Sequence, residues 1–319
     1  MVEQPGIQVA DVLVGIFQGL VIIALAPLIA GISRKVKARS QKRVGASVIQ
    51  PYYDLAKLLT VKEEIVPEGS SWIFAYAPWI NFICVSTAAF LVPVFLTYSP
   101  FGYAGDIFVL IGLFGLGKFF LILAAVDTGS TFGGIGGSRE IMISAILEPF
   151  LFMAVFLASL THGGTNISTI IGEAAVASTP LSPIVLFAVI ALVIMIIIET
   201  GRLPFDNPAT NLELTMVHKA MLFEYSGKGL GLLEWASYVK QLVLFSIVIN
   251  LLAPWGIALS ADVASMSVGL AAFIGKALLF AVLLTLLEVS VAKWRLFRIP
   301  DMIAMAVASL MIGMVLFYI

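Results

Sequence analysis

Side chains that bind metal clusters are almost absent from this sequence. Its 319 residues include one cysteine and two histidines. An iron–sulfur cluster or a structural zinc site takes about four cysteine or histidine ligands, whereas Cys84, His162 and His218 lie far apart along the chain. We therefore expect this chain to bind no cofactor or metal ion by itself.

Charged residues are also scarce, at 12% of the sequence, while hydrophobic residues make up 61% and the mean hydropathy is +1.07. All three values lie well outside the range of soluble domains. A helix that crosses a bilayer needs roughly 20 mostly apolar residues, because its backbone polar groups must be satisfied internally. We predict an all-α polytopic membrane protein with eight transmembrane helices, at residues 10–32, 75–97, 106–126, 139–160, 183–199, 232–255, 268–292 and 300–319.

The 18 lysine and arginine residues predict the orientation of this bundle, since short cytoplasmic loops are rich in both. Eight of them lie between the first two predicted helices, seven lie at later alternate junctions, and three lie inside apolar segments. The loops on the opposite side carry none. Both termini are therefore predicted to face outside. No linker or internal repeat is visible, so residues 1–319 are predicted to form one transmembrane domain.

Two features of the cytoplasmic loops predict local structure. Residues 51–61 place Leu55, Leu58 and Leu59 on one face of a helix, which predicts an amphipathic helix at the membrane interface or over a partner. The glycine-rich residues 133–137 superficially resemble a phosphate loop. No strand precedes them and no Lys-Ser/Thr pair follows, so we predict a flexible cytoplasmic hinge.

Ionisable residues inside the apolar segments are the main candidates for function, because they are costly in lipid. Glu140, Ser144 and Glu148 follow one another at four-residue spacing, which places them on one helix face that climbs roughly 12 Å into the membrane. Desolvation at Glu148 favours the protonated form, which suits a proton path. A structural ion pair with Lys118 or Lys240 is the alternative.

Lys118 and Lys240 lie too deep to reach the interface easily, so each is predicted to face the bundle interior and contact a carboxylate. Their role is either to tune carboxylates electrostatically or to form structural pairs. Glu288, near the cytoplasmic end of the seventh predicted helix, is equally compatible with a channel residue and a solvated one.

The loop after the fifth predicted helix holds the densest group of acids, namely Glu199, Asp206, Glu213 and Glu224. Glu213 and Glu224 are eleven residues apart and would share a face of a continuous helix. They form either part of a buried path or a solvated cytoplasmic surface. His218, between them, is interpreted as a hydrogen-bonded packing residue.

Five motifs occur in order along the chain. They are Q-K-R-V-G-A at 41–46, Q-P-Y-Y-D-L-A-K at 50–57, S-R-E-I-M-I-S-A-I-L-E-P at 138–149, E-T-G-R-L-P-F-D at 199–206 and F-E-Y-S-G at 223–227. Together they resemble subunit 1 of respiratory complex I and its homologues in energy-converting membrane-bound nickel–iron hydrogenases. The resemblance covers nearly the full length of the chain.

Departures from the complex I pattern favour the hydrogenase branch of this family. Complex I members usually carry further glutamates after P-F-D, where residues 207–211 here read N-P-A-T-N. Quinone-reactive members tend to have Gly-Pro where this chain has Gly45 and Ala46. The L-E-P sequence at 147–149 is also similar to the hydrogenase branch.

The resemblance implies a subunit without a redox centre of its own, in the cell membrane of a prokaryote. Iron–sulfur clusters and a nickel–iron site would belong to peripheral partner subunits, and antiporter-like subunits would lie beside it in the membrane. The implied function couples ferredoxin oxidation and H2 formation to H⁺ or Na⁺ translocation. Alternatives are an NADH- or F420H2–quinone oxidoreductase, a related sulfur-reducing complex, or a stand-alone cation transporter.

The resemblance and the buried charges together select two sets of residues. The predicted proton or ion path consists of Lys118, Glu140, Glu148, Glu199, Asp206, Glu213, Glu224 and Glu288. The predicted docking surface for the peripheral arm consists of Arg34, Lys37, Arg39, Lys42, Arg43, Asp54, Lys57 and Arg202. Positive-inside topology alone would also place most of these cations on the cytoplasmic side.

Overall fold

The computed structural model describes residues 9–67, 69–97, 105–161, 164–176, 182–205, 218–258, 262–292 and 299–318. Over these residues the chain is helical, and we find no extended strand beyond two isolated bridges. The helices are α1 (Val9–Ser40), α2 (Gln50–Thr60), α3 (Trp72–Leu91), α4 (Ile107–Asp127), α5 (Thr131–Leu160), α6 (Ile167–Val176), α7 (Pro183–Glu199), α8 (Gly227–Leu252), α9 (Val263–Ser290) and α10 (Ile299–Tyr318).

Seven of the described helices are long and apolar enough to cross a membrane, namely α1, α3, α4, α5, α8, α9 and α10. The remaining predicted span, 183–199, is the shorter apolar helix α7, with 17 residues. The predicted fold class, an all-α multi-pass membrane protein, is therefore confirmed. The orientation of the termini stays a prediction. The short helix α6 was not predicted.

Helix ends differ from the predicted ones where local chemistry outweighs hydropathy. The second predicted span, 75–97, ends at Leu91, because proline at position 93 cannot continue the backbone hydrogen bonds. The chain after Leu91 is held by polar side chains instead. The Val94 N–H donates to Gln18 Oε1 at 3.1 Å, and Asn250 Nδ2 donates to the Pro93 carbonyl at 2.9 Å.

The predicted flexible hinge at residues 133–137 is wrong, because these residues lie inside α5. The helix begins after Ser130, whose Oγ accepts a hydrogen bond from the Gly133 N–H at 3.0 Å, a typical N-cap. A Cβ atom on Gly133 would lie 2.4 Å from the Ala125 carbonyl oxygen, and one on Gly136 would lie 2.9 Å from Ala220 Cβ. These glycines permit close packing instead of bending.

Adjacent glycines in α5 provide a matched test of this packing. Gly133→Ala should lower the thermal midpoint of the purified protein complex, since its methyl group would overlap the Ala125 carbonyl oxygen of α4. Gly134→Ala should be neutral or stabilising by about 0.5–1 kcal/mol, since no atom lies within 4 Å of its Cβ position and alanine is the better helix former. Thermal unfolding in detergent, followed by size-exclusion chromatography, would separate the two. Equal midpoints would contradict the packing role.

The amphipathic helix is present as α2, and its apolar side packs on the first turns of α8. Leu55 is buried, and a Cβ atom on Gly231 would lie 3.1 Å from Leu58 Cβ and 3.2 Å from Leu59 Cδ2. The helix α8 is the most buried of the seven candidate spans. It therefore forms the centre of the bundle, with α1, α3 and α7 beside it.

Candidate functional site

Lys118 of α4 lies at the centre of a group of buried charges. Its Nζ atom is 2.9 Å from Glu199 Oε1, 3.6 Å from Glu140 Oε1 and 3.7 Å from Glu148 Oε1. The side chains of Lys118, Glu140 and Glu199 are at most 7% exposed. Of the three carboxylates, Glu199 accepts the hydrogen bond from Nζ, at 3.0 Å to Oε2. Lys118 is therefore a cation shared by three acids from two other helices.

Two further basic groups complete this cluster. Lys240 of α8 donates a hydrogen bond to Glu199. His218 lies with Nδ1 2.6 Å from Glu140 Oε2 and Nε2 3.2 Å from the Ile198 carbonyl oxygen. A carbonyl oxygen only accepts, so Nε2 carries a hydrogen atom. Nδ1 and the Glu140 carboxyl group then need one proton between them, carried either by the ring or by the acid.

We name Lys118, Glu140, Glu148, Glu199, His218 and Lys240 the charge cluster. Three carboxylates face two ammonium groups and one imidazole in it. The cluster is neutral when His218 and Glu140 hold the shared proton between them, and it carries one negative charge when that proton is lost. Burial lowers the pKa of His218, but the nearby Glu140 carboxylate outweighs this effect and raises the pKa above its ordinary 6.5.

The His218 pocket depends on a glycine. Gly201 has φ +60, and a Cβ atom on it would lie 2.8 Å from His218 Cδ2. Only glycine adopts this left-handed conformation without strain, and only glycine leaves room for the ring. The loop after α7 is therefore shaped to hold the imidazole against Glu140.

This arrangement predicts a pH dependence. Because the pKa of His218 is raised on folding, its contact with Glu140 contributes stability that is complete below pH 6.5 and is lost as the pH rises through the raised pKa. The thermal midpoint of the purified complex should therefore fall with pH over that window. The His218→Asn variant should lose this part of the slope, and a pH profile identical to that of the wild type would contradict it.

A cavity of about 470 Å³ connects the charge cluster with the ends of α1, α8 and α9. One end is lined by Lys118, Glu140 and Glu199. The other end is lined by Arg34, whose side chain is 50% exposed, and by three ion pairs. The cavity is large enough for many water molecules and reaches the basic surface of the bundle.

The three ion pairs at the outer part of the cavity involve two acids, Glu288 and Glu234. Glu288 is 2.6 Å from Lys37 Nζ and 3.7 Å from Arg202 Nη1. Glu234 accepts a hydrogen bond from Lys219 and another from Tyr238, at 2.9 Å. A proton or cation that enters from the basic surface would pass these pairs before it reaches Lys118.

A second, much smaller cavity of about 10 Å³ separates Glu199 from Glu148. Its remaining lining is apolar, from Ile111, Phe114, Leu147 and Leu151. This volume is at the lower limit for one water molecule. Glu148 therefore has two connections to the buried acids. One is its contact with Lys118, and the other is this cavity, which has about the volume of one water molecule.

Comparison with known proteins assigns the chain to a family. Residues 12–319 match the model of the family described as NADH dehydrogenase. The chain belongs to this family. The match covers all of the charge cluster and the large cavity.

Members of the hydrogenase branch of the family are clearly similar. Formate hydrogenlyase subunit 4 of Escherichia coli (strain K12) is 36% identical over 289 residues, which cover 90% of this chain and 92% of that protein. Hydrogenase-4 component C of the same organism is 34% identical and covers 89% of both chains. An NADH-quinone oxidoreductase subunit of Koribacter versatilis (strain Ellin345) is 27% identical and covers 70% of this chain and 56% of that protein.

A solved structure shares the fold. It is that of the membrane-bound sulfane sulfur reductase, an archaeal respiratory membrane complex, with a TM-score of 0.67, 20% identity, and coverage of 94% of this chain and 99% of that chain. The predicted resemblance and its hydrogenase branch are thus confirmed. The chain is a membrane subunit of an oxidoreductase complex, so partner subunits are expected.

Apart from Glu224, the predicted path residues separate into three groups. The first group lies in the charge cluster, where Lys118 contacts Glu140, Glu148 and Glu199. Lys240 also pairs with Glu199, so both lysines contact a carboxylate, as predicted. Glu288 lies elsewhere in the cavity lining and contacts the predicted docking residues Lys37 and Arg202. Asp206 and Glu213 lie outside the described residues. The role of all of them in ion transport stays a prediction.

The helix face predicted for Glu213 and Glu224 is not formed in the described part of this segment. Between positions 218 and 226 the chain makes turns and one 3₁₀ helix, Ala220–Leu222, and α8 begins only after Glu224. The stacked rings of Phe74 and Tyr225, 4.2 Å apart, hold the chain in this compact course. Glu224 is half-buried beside them.

The predicted docking residues also divide. Arg39, Lys42, Arg43 and Lys57 are exposed at the end of α1 and on α2, and Arg34 faces Asp54 at 3.8 Å across an exposed pair. Lys37 and Arg202 instead face Glu288 with 24% and 12% of their side chains exposed. Their charges are engaged inside the cavity, so they are poorly placed to meet a partner directly.

Two functional candidates were missed by the sequence interpretation. His218 is more than the packing residue predicted from the sequence, because it also completes the charge cluster through Glu140. Glu234 of α8 lines the large cavity and was not singled out at all. The signal in the sequence is its position inside an apolar segment, six residues before Lys240, where an acid is as costly as a lysine.

Proposed function

We propose that this chain is the membrane-anchoring and ion-coupling subunit of a complex-I-like hydrogenase. In this complex, oxidation of an electron donor and formation of H2 drive H⁺ or Na⁺ across the membrane. Iron–sulfur clusters and a nickel–iron site would be held by peripheral subunits, with antiporter-like subunits beside this chain in the membrane. Support comes from the 36% and 34% identity to the two hydrogenase-type relatives. Reduced ferredoxin is the proposed donor, and the name of the first relative makes formate the second candidate.

The observation that carries the coupling role is the unbroken series of acid and base contacts from the cavity to Glu148. His218 meets Glu140 at 2.6 Å, and Lys118 meets Glu140 and Glu148 at 3.6 and 3.7 Å. Glu140 lines the cavity, so a proton from cavity water would reach it directly, with the His218 Nδ1 atom beside it to share that proton. Lys118 donates its hydrogen bond to Glu199, so a transfer between Glu140 and Glu148 would require the ammonium group to move toward each of them in turn.

Electrostatics gives this series a means of responding to chemistry outside the membrane. Two unit charges about 4 Å apart interact by about 4 kcal/mol at an effective dielectric constant near 20. Removal of one proton from the cavity wall therefore shifts a neighbouring protonation equilibrium by about a thousandfold. Consumption of protons at a hydrogen-forming site above the cavity would be transmitted to Lys118 and Glu148 in this way.

The peripheral arm is proposed to dock on the exposed cations Arg39, Lys42, Arg43 and Lys57. They lie beside the basic end of the large cavity, where α1 ends and α2 begins. An acidic partner surface would be attracted to them over about 8 Å at physiological salt. A docked arm would cover the cavity mouth and couple its chemistry to the groups below.

The proposal is tested with the complex purified through a tag on this chain and reconstituted into liposomes. Reduced ferredoxin or formate is added, and H2 formation and ion movement are recorded together. We expect nickel-dependent H2 formation accompanied by ion transport that collapses with an ionophore. Quinone reduction without H2 formation, or H2 formation without ion movement, would overturn the proposal.

A further inference from the structure

The Glu148 carboxyl group reaches the outside of the described bundle at the depth of the membrane interior. It lies near the middle of α5 and against the middle of α4, where a Cβ atom on Gly115 would lie 3.3 Å from Glu148 Oε2. Its side chain is 36% exposed, whereas the other two acids of the charge cluster are at most 6% exposed. A carboxyl group at this depth is costly against lipid tails.

The surface around Glu148 is otherwise apolar and follows the seam between α4 and α5. Phe108 contacts Phe152 on one side of Glu148 along this seam, with ring centroids 4.6 Å apart. Phe119, one turn of α4 beyond Gly115, is 56% exposed. We call these residues with Gly112 and Glu148 the Glu148 face. Exposed apolar side chains fit a lipid or a protein helix, but the carboxyl group fits only the second.

The cations among the described residues leave Glu148 without a hydrogen bond. Its contact with Lys118 is 3.7 Å long, beyond hydrogen-bond distance, while Lys118 donates to Glu199 at 3.0 Å. Lys240 is engaged with Glu199, and His218 with Glu140. No hydrogen bond to Glu148 is found within the described ranges. Its oxygens therefore lack a close donor among the described residues of this chain.

We propose that a transmembrane helix of another subunit covers the Glu148 face and presents a lysine or another protonated side chain to Glu148. The proposal rests on the proposed function only in requiring further membrane subunits in the complex. A symmetric contact between two copies of this chain would bring two Glu148 carboxyl groups together, whereas a helix with a protonated side chain supplies the hydrogen bond that Glu148 lacks. Gly112 has no atom within 4 Å of its Cβ position, which lets a helix approach closely.

The identity of the neighbour is tested by photo-crosslinking in the intact complex. Benzoylphenylalanine replaces Phe119 on the Glu148 face and, as a control, Leu279 of α9, which is 61% exposed. We expect Phe119 to yield one protein adduct, with a membrane helix that contains a basic residue within two turns of the crosslinked position. The control should not yield that adduct. Lipid adducts alone at Phe119, or an adduct with a second copy of this chain, would overturn the proposal.

Steric variants test the same contact through assembly. Gly112→Leu fills open space in this chain, so it should fold normally, but the added side chain would push a covering helix away. Gly275→Leu on α9 is the matched control, because Gly275 also has no atom within 4 Å of its Cβ position. We expect Gly112→Leu to lower the yield of the co-purified neighbour by fivefold or more and the control to leave it unchanged. Equal yields would overturn the proposal, and neither measurement depends on ion transport.

Discussion

Lys118→Met is expected to abolish ion transport by the reconstituted complex, to below about one hundredth of the wild-type rate. Lys118 is 7% exposed and is the cation shared by Glu140, Glu148 and Glu199. Without it, the three acids lose their common partner in a medium that does not tolerate unpaired charge, at a cost of about 3–5 kcal/mol. They would bind protons to relieve this cost and could no longer release them in turn. The measurement is ion uptake by liposomes under turnover.

The control for Lys118→Met is Lys276→Met, the same change at an equally buried lysine. Lys276 is also 7% exposed, but it donates hydrogen bonds to the carbonyl oxygens of Ala253 and Trp255 at 3.0 and 2.9 Å. It therefore satisfies the end of α8 and has no contact with the charge cluster. We expect this variant to lower thermal stability and keep transport. Equal loss of transport in both variants would show that the effect is structural.

Glu148→Gln is expected to reduce ion transport per H2 by about a hundredfold while the complex still assembles. Glutamine has nearly the shape of glutamate but no titrating proton, so a relay through this position stops. The neutral side chain still accepts hydrogen bonds, and the Glu148 face keeps its shape for a covering helix. The yield of complex on size-exclusion chromatography and the ratio of transported ions to H2 are measured together.

Glu173→Gln is the matched control, since Glu173 is an exposed acid on α6 away from the charge cluster. It should leave both the yield and the transport ratio unchanged. A wild-type ratio in Glu148→Gln would remove Glu148 from the path. The rest of the charge cluster would then need another exit.

The sequence predicted the spans well because apolar length is a local property of the chain. Helix ends were predicted less well because they depend on single residues. The 75–97 prediction ran through a proline that ends α3 at Leu91, and the 139–160 prediction began eight residues late because the glycines of α5 were interpreted as flexible. Glycines in contact with other backbone segments cannot be distinguished from flexible ones without the neighbouring helices.

For the site, the sequence predicted which residues are buried but less of what they contact. Lys118 and Lys240 were predicted to meet carboxylates because intramembrane cations need partners. The partner of His218, Glu140, is 78 residues away, a separation that no helical period connects. Lys37 and Arg202 were assigned to a docking surface because the positive-inside rule counts cations in loops, yet both point into the cavity toward Glu288.

The central claim is that carboxyl groups around Lys118 change protonation when the complex turns over. Infrared difference spectroscopy of the reconstituted complex, resting against turning over, measures this through the carbonyl stretch of protonated carboxylic acids. We predict a band that is present in the wild type and in Glu173→Gln and is lost or shifted in Glu148→Gln and Glu199→Gln. A wild-type spectrum without such a band, or one unaffected by both cluster variants, would contradict the account.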